Sequence, residues 1–253
     1  MIIIDIHTHF YVRDKKKIES IDKIVQLAKR FGIEKICVLG DVTRYGYDPD
    51  EDGIRKINDL TISMVRKYPN VFIGFCFLNP KNSKKFIYQE IERCVIKEGF
   101  KGIKLEVAVN ARDKRLNPII NKAEELNVVV LHHAWYKTVG KVFNESDPSD
   151  IAVLAARFPK VKIIMAHLTG CGIRGVLEIQ SFPNVYVDTS GSQPFSGIVE
   201  YAVEKIGARR LLFGSDMPYR DFSSQLGRIY GAKIKESERR LILGLNAQYL
   251  LGF

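Results

Sequence analysis

The segment Ile2-Ile-Ile-Asp-Ile-His-Thr-His9 joins a run of β-branched apolar residues to two histidines that are two positions apart. Side chains of a strand alternate between its two faces, so His7 and His9 are expected on one face, together with Asp5 if that residue shares it. Two imidazoles at the end of one strand can bind one cation. The segment therefore predicts a first strand with a metal-binding His-x-His pair at its carboxyl end.

Seven further apolar runs follow, and stretches with apolar residues at helical spacing separate them. The predicted strands are Ile2–Ile6, Lys35–Leu39, Val71–Leu78, Gly102–Val107, Val128–His132, Lys162–His167, Val185–Asp188 and Leu211–Gly214. Several of these runs are apolar throughout, as is typical of a parallel sheet buried on both faces. The alternation predicts an α/β protein with a single (β/α)₈ TIM barrel, in which residues 1–253 form one domain. A doubly wound open sheet is the structural alternative.

The composition is that of a globular protein with a basic surface. The 253 residues are 46% hydrophobic, and 39 Lys and Arg against 29 Asp and Glu give a net charge of +10. The basic residues are spread along the chain, which favours a solvated surface over a nucleic-acid site. The four cysteines form no C-x-x-C pair, and no apolar run approaches the roughly 18 residues of a membrane span. We expect a cytoplasmic protein with reduced cysteines and no membrane partner. A homo-oligomer is compatible with the sequence.

All five histidines lie at predicted strand ends, and this placement carries the functional hypothesis. His132 and His133 end the fifth predicted strand, His167 ends the sixth, and Asp216 follows the eighth. In a (β/α)₈ barrel the loops after the strands build the active site. Alternation allows only one of His132 and His133 to face inward, and the sequence leaves that choice open. Imidazoles with a carboxylate suit Zn²⁺, although other divalent metals accept such a set.

The fourth predicted strand carries two charged residues on its inward face. Ile103, Leu105 and Val107 share the face expected to pack on helices, which leaves Lys104 and Glu106 facing the interior. A buried ammonium group needs a partner. Three interpretations remain open: Lys104 binds a substrate carboxylate, pairs with Glu106, or is carboxylated and bridges two metals.

In order and spacing, these residues resemble the amidohydrolase superfamily, and in particular its amidohydrolase-related branch of aminocarboxymuconate-semialdehyde decarboxylase-like enzymes. The matching pieces span nearly the whole chain; they are Asp5-Ile-His-Thr-His9, Phe75–Pro80, Gly99–Leu105, Leu131-His132, Ala166-His167, Phe213–Pro218 and Leu245–Gly252. The resemblance implies a (β/α)₈ barrel with one divalent metal, or two. It implies His7, His9, His132 and Asp216 as metal ligands, and His167 as an acid/base or a ligand of a second metal.

On this basis the sequence predicts a metal-dependent hydrolase or decarboxylase. Metal-activated water and a histidine acid/base would carry the reaction, with His167 and Asp216 as the catalytic residues and zinc as the expected metal. A TatD-like deoxyribonuclease or phosphoesterase is one alternative, although the strand-4 sequence departs from that family's signature. A non-catalytic basic barrel that binds nucleic acid is the other.

The loops after the predicted strands are rich in basic residues, which predicts a small anionic substrate, most simply a carboxylate. These basic residues are Arg44, Arg112, Lys137, Lys141, Arg174 and Arg220. The predicted substrate-binding residues are Lys104, Glu106, Trp135, Arg174 and Arg220.

Overall fold

The computed structural model describes residues 2–10, 17–41, 44–193 and 195–253. Eight parallel strands follow each other around one sheet in the order of the chain. They are β1 (Ile3–Thr8), β2 (Ile33–Val38), β3 (Phe72–Leu78), β4 (Gly102–Leu105), β5 (Val129–His132), β6 (Ile163–Met165), β7 (Val185–Asp188) and β8 (Leu211–Leu212). The amide of Ile6 donates to the carbonyl of Phe213 at 2.9 Å, and the amide of Asp216 donates to the carbonyl of His7 at 2.7 Å. These bonds join the end of the sheet to its start, so the predicted (β/α)₈ barrel is confirmed.

Helices connect the strands and cover the outside of the barrel. They are α1 (Lys17–Arg30), α2 (Glu51–Lys67), α3 (Lys84–Ile91), α4 (Asn117–Glu125), α5 (Pro148–Arg157), α6 (Leu168–Ile179), α7 (Ile198–Ile206), α8 (Phe222–Tyr230), α9 (Glu236–Arg240) and α10 (Asn246–Leu251). Side chains cap several of them: the Asp50 carboxylate accepts from the amide of Gly53 at 2.8 Å at the start of α2. No helix in the described ranges is both long and apolar enough to cross a membrane.

Two apolar clusters follow the two faces of the strands. The outer cluster packs the strands on the helices and includes Ile103 and Leu105. The inner cluster fills the barrel and contains Ile4, Ile6, Cys37, Leu39, Phe75, Val129, Leu131, Ile164, Ala166 and Leu212, with Ala247, Leu250 and Leu251 of α10. Gly102 makes room for this filling, because a Cβ at that position would lie 2.3 Å from the ring of Phe75. The interior is a packed core, so chemistry is confined to its mouth.

The residues of the inner cluster show that strand alternation does not explain the position of His7. Ile4 and Ile6 are the interior residues of β1, so strict alternation would place His7 toward the helices. The register of β1 against β2 shifts between Asp5 and Thr8, which breaks the alternation before the histidines. His7, His132 and His167 each directly follow an inner-cluster residue, and for His167 that residue, Ala166, already lies beyond the end of β6. They reach the mouth because the strands end or shift there, which strand periodicity alone does not predict.

One helix boundary also differs from the sequence prediction. The spacing of apolar residues predicts a helix over 173–181, whereas α6 begins at Leu168. Its first turn follows His167, whose φ of 68° lies in the left-handed region, and Gly172, with a φ of 62°, interrupts the helix. The first turn carries Leu168, Thr169 and Gly170, which lack the periodic pattern used for prediction. The consequence is that His167 lies directly at a helix start beside the mouth.

Candidate metal centre

The His-x-His pair is oriented by hydrogen bonds that fix both tautomers. Nδ1 of His7 donates to Oδ2 of Asp188 at 2.8 Å, and Nδ1 of His9 donates to the carbonyl of Gly40 at 3.0 Å. A carbonyl or a carboxylate can only accept, so each Nδ1 carries the proton and each Nε2 carries a lone pair. The two Nε2 atoms lie 3.1 Å apart. Two lone pairs at this distance repel each other, and a cation between them would relieve that repulsion.

Asp216 brings a carboxylate to the same point. Its Oδ1 atom lies 3.7 Å from Nε2 of His7 and 3.9 Å from Nε2 of His9. The backbone of Asp216 has a φ of 63°, a left-handed conformation that is uncommon outside glycine. Gly214 permits the close approach, because a Cβ there would lie 3.0 Å from the Cβ of His7. Burial raises the pKa of Asp216 to about 8, with the charge of Asp188 adding to the effect.

His167 belongs to the same cluster. Its Nδ1 donates to Oγ of Ser190 at 2.8 Å, and that hydroxyl in turn donates to Oδ1 of Asp188. The Nε2 atom of His167 is therefore also a lone-pair donor. One ligand atom from each of His7, His167 and Asp216 lies within 4.8 Å of the other two, and the His7 and His167 rings are 4.7 Å apart. His167 is thus as close to the centre as the predicted ligands.

The histidine doublet departs from the sequence argument, because β5 ends at His132 and alternation does not extend to His133. Nδ1 of His132 donates to the carbonyl of His133 at 2.7 Å, and its buried Nε2 has no hydrogen-bond partner among the described residues. His133 also faces the mouth: its ring lies 5.1 Å from that of His167, and its Nε2 is 3.0 Å from Oε1 of Glu145. Both members of the doublet therefore lie at the site.

Burial keeps the imidazoles neutral. It lowers the pKa of His9 and of His132 to about 4, and it lowers the pKa values of His7 and His167 well below their usual range. The positive charge of Lys104 adds to the lowering at each of these residues. Metal binding requires the neutral imidazole, so the folded chain presents these groups ready for a cation.

Lys104 on β4 and Glu106 just after its end pair with each other across 2.7 Å. Lys104 is fully buried, and Glu106 is 7% exposed. Burial opposes the charged form of Glu106, but Lys104 and His133 outweigh it and hold the pKa of the carboxyl at about 2. Of the three interpretations left open by the sequence, the described contacts correspond to the internal ion pair.

The remaining predicted substrate-binding residues differ in their distance from this cluster. Trp135 lies against His167, with 4.9 Å between ring centroids. Arg220 lies close enough to Asp216 to lower the pKa of that carboxyl, and its buried Nε has no hydrogen-bond partner within the described ranges. Arg174 lies on α6, where its guanidinium covers the ring of Tyr136 at 4.8 Å and lies 3.5 Å from Glu178.

The other basic loop residues are engaged in ion pairs or ring contacts. Arg112 pairs with Asp150, Lys137 with Glu145, and Lys141 with Asp147. Arg44 lies over the ring of Tyr45 at 5.6 Å. Much of the basic charge in these loops is therefore matched locally, as the solvated-surface interpretation expects.

Sequence reasoning missed the acidic and hydroxyl groups that orient the histidines. Asp188 ends β7 and accepts from His7, from the amide of His167 at 3.2 Å and from Ser190. A carboxylate at a strand end is the same signal that singled out Asp216, so Asp188 could have been found. Glu145, in contrast, lies in the loop after β5, where only the fold brings it to His133.

The arrangement fits a divalent metal. One ligand atom from each of His7, His167 and Asp216 lies within 4.8 Å of the other two, and Nε2 of His9 lies 3.1 Å from that of His7 and 3.9 Å from Oδ1 of Asp216. The buried Nε2 of His132 is a further lone pair with no hydrogen-bond partner among the described residues. Each imidazole is oriented through its other nitrogen by a protein acceptor, as is usual for histidine ligands. Nitrogen donors with one carboxylate suit Zn²⁺, Mn²⁺ or Fe²⁺.

Comparison with known proteins gives a consistent picture. The model of the amidohydrolase family matches residues 4–253. The chain is 25% identical to gamma-resorcylate decarboxylase of Polaromonas sp. strain JS666 over 297 aligned positions, which cover 90% of this chain and 86% of that protein. Over 88 positions, it is 34% identical to 2-amino-3-carboxymuconate-6-semialdehyde decarboxylase of Dictyostelium discoideum, covering 34% of this chain and 24% of that protein.

A solved structure gives the same fold. Dihydroxybenzoic acid decarboxylase from Polaromonas sp. JS666, with bound manganese and the inhibitor 2-nitroresorcinol, superposes with a TM-score of 0.74 at 21% identity. The match covers 99% of this chain and 96% of that one. At this identity the likeness concerns the barrel, and the site must be argued from its own residues.

Proposed function

The chain belongs to the amidohydrolase family, and we propose that it is a metal-dependent enzyme that removes carbon dioxide from a small carboxylated aromatic acid. The observation that carries the proposal is the cluster of His7, His167 and Asp216 at the barrel mouth, whose ligand atoms lie within 4.8 Å of one another, with Nε2 of His9 at 3.1 Å from that of His7. The curated relatives are named as decarboxylases, which favours loss of carbon dioxide over the predicted hydrolysis by activated water. They give no support to the nuclease or to the non-catalytic binding protein.

We propose His7, His9, His132 and Asp216 as the residues that would hold the metal. A bound divalent cation would supply Lewis-acid stabilisation of negative charge on the oxygens of the substrate. Its identity is open between the zinc expected from the ligand types and manganese, which the Polaromonas decarboxylase contains. Loading the purified chain with each metal separately and comparing the rates decides between them.

His167 is the proposed proton carrier. As the bond between the ring carbon and the carboxylate breaks, its electron pair stays on the ring carbon. The imidazolium of His167 gives its proton to that carbon and takes another from solvent after carbon dioxide leaves. Ser190 accepts from Nδ1 of His167 and is itself bonded to Asp188, so these contacts hold the ring in place. Burial favours the neutral imidazole before substrate binds, so we propose that His167 takes up its proton from solvent once an anionic substrate at the mouth offsets that effect.

Trp135 and Arg220 are the proposed substrate contacts. The indole of Trp135 beside His167 offers a flat apolar wall for an aromatic ring. The guanidinium of Arg220 is near Asp216 and suits a carboxylate or a phenolate. Lys104 and Glu106 bind each other, so we assign them a supporting role below the mouth. Arg174 contacts Tyr136 and Glu178, and its part in substrate binding would require it to leave both.

The test of the proposal is an assay for released carbon dioxide with metal-loaded protein. A panel of hydroxylated benzoates and unsaturated carboxylic acids should contain a substrate, and Asp216→Asn should be inactive on it. Hydrolysis of amides or lactones by the same preparation, without carbon dioxide release from any acid, would replace the proposal with the hydrolase alternative.

The doublet gives a prediction about the ligands. Because the buried Nε2 of His132 has no partner in the described part of the chain, His132→Ala should lower metal affinity by at least about 100-fold. His133 is bonded through Nε2 to Glu145, so His133→Ala should lower it by at most about tenfold. Metal titration of the two variants measures both values. The opposite order would make His133 the ligand.

Proton release gives a second prediction. At pH 6 the buried imidazoles are already neutral, whereas Asp216, with a pKa of about 8, is protonated in the metal-free chain. Binding of the cation at pH 6 should therefore release about one proton from Asp216, and the release should fall to about half a proton near pH 8 and vanish well above it. Calorimetry in buffers of different ionisation enthalpy counts the protons. If Asp216→Asn released the same number, Asp216 would not be a ligand.

A further inference from the structure

Glu145 is a buried carboxylate that the proposed chemistry does not use. It lies near the end of the loop that connects β5 to α5, and it is 2% exposed. It accepts from Nε2 of His133 at 3.0 Å, from Nζ of Lys137 at 2.8 and 3.0 Å, and from the amide of Val142 at 3.1 Å. Taking such a group out of water is costly unless its partners compensate, and here three residues of its own loop do so.

The ends of this loop are held by other contacts. The amide of Trp135 donates to the carbonyl of Ser146 at 2.9 Å, and the amide of Tyr136 donates to the carbonyl of Gly170 at 3.1 Å. Oγ of Ser146 accepts from the amide of Ala111 at 2.9 Å. These bonds tie the loop to the connections after β4 and β6, and none of them involves the carboxylate of Glu145. The carboxylate therefore organises the interior of the loop rather than attaching it.

One of the groups that Glu145 holds, His133, lies beside His167 of the candidate metal centre. His133 is fixed between two carboxylates, with Nε2 on Glu145 and Nδ1 at 3.5 Å from Glu106. The ring of Trp135 stacks on His133 with an interplanar angle of 22° and lies 4.9 Å from His167. Nζ of Lys137 lies 5.4 Å from the centre of the Trp135 ring. The carboxylate of Glu145 thus orients two groups next to the indole of Trp135, which are the imidazole of His133 and the ammonium group of Lys137.

We propose that Glu145 is a positioning residue that sets the aromatic wall of the substrate site by holding His133 and Lys137 around Trp135. The inference rests on the proposed function only for the identity of what the wall contacts. A glutamine at position 145 keeps the shape of the side chain, but it loses the charge and places an amide donor where the carboxylate accepted. The one remaining acceptor oxygen could not serve His133, Lys137 and the amide of Val142 together, so the neighbours of Trp135 would be held less firmly.

The chain contains a single tryptophan, so its fluorescence reports on this wall alone. In Glu145→Gln, the emission of Trp135 should shift to the red, and acrylamide should quench it more readily than in the parent. Glu98→Gln is the matched control, because Glu98 pairs with Arg66 before β4, away from the mouth. Unchanged emission and quenching in Glu145→Gln would overturn the proposal. If that variant fails to fold, Lys137→Met removes one partner of the same carboxylate and should show a smaller red shift and a smaller increase in quenching. Unchanged emission and quenching in Lys137→Met would also overturn the proposal.

Steady-state kinetics supply the functional half of the test. Glu145→Gln should raise KM about tenfold while kcat falls by less than about threefold, because the wall binds substrate but moves no proton. Metal content should equal that of Glu98→Gln, and Glu145→Asp should lie between the parent and Glu145→Gln. A changed fluorescence with an unchanged KM would show that the wall does not contact substrate, which contradicts the proposal. If no acid is turned over at all, the proposed function fails, whereas the fluorescence comparison still decides the role of Glu145.

Discussion

Replacing His7 and His9 together with alanine is expected to leave a folded barrel that no longer binds a divalent cation. The variant removes two of the lone pairs directed at the centre, including the pair of Nε2 atoms 3.1 Å apart. Loss of the cation removes several kcal/mol of charge stabilisation, so carbon dioxide release should fall by at least about 10³-fold. Metal analysis of the purified variant and the carbon dioxide assay measure the two effects.

The thermal behaviour of this variant separates loss of metal from loss of fold. A cation at 1,000 times its dissociation constant stabilises the parent by about 4 kcal/mol, and chelation should remove that increment. The double variant should melt below the chelated parent, because the buried carboxylate of Asp188 loses its His7 partner and the removed rings leave space, but a chelator should not lower its melting temperature further. Full metal retention by the double variant would overturn the proposed ligand set.

His167→Asn is expected to lower kcat by about 10²–10⁴-fold while the bound metal is retained. The reason is that asparagine can still occupy the space beside Ser190 but cannot carry a proton to the substrate. Ser190→Ala is the companion variant. It leaves the imidazole in place without its acceptor, so kcat should fall by about tenfold or somewhat more.

The same variant decides between two roles for His167. Its ligand atom lies within 4.8 Å of those of His7 and Asp216, so His167 is geometrically capable of being a ligand. Loss of the metal from His167→Asn would assign it to the ligand set. Retained metal with kcat within about threefold of the parent would remove it from the catalytic residues as well.

The fold was predictable because each strand is a short, β-branched apolar run and each helix carries a separate periodicity. The family resemblance is confirmed, and it rested on pieces distributed over the whole chain. The strand ends were less predictable: the expected strand Lys162–His167 is only Ile163–Met165, and Leu211–Gly214 is only Leu211–Leu212. Both strands stop where the chain leaves the sheet to form the site.

The sequence singled out His7, His9, His132, His167 and Asp216, whose roles stay predictions, but it did not give their geometry. Alternation would have placed His7 toward the helices; the register shift in β1 brings it to Asp188. Strand alternation also allows only one of His132 and His133 to face the barrel interior. Both lie at the mouth, because β5 ends at His132. Glu145 was beyond prediction, since its contact with His133 depends on how a loop folds back on itself.

The most direct test of the central claim is to analyse the product formed by metal-loaded protein in labelled water. Decarboxylation breaks a carbon–carbon bond and adds one proton to the ring carbon. We therefore expect that in D₂O the product carries one deuterium where the carboxylate was, with one carbon dioxide released per product. In H₂¹⁸O, the same product should contain no ¹⁸O. Incorporation of ¹⁸O into the product without release of carbon dioxide would show a hydrolase and contradict the account.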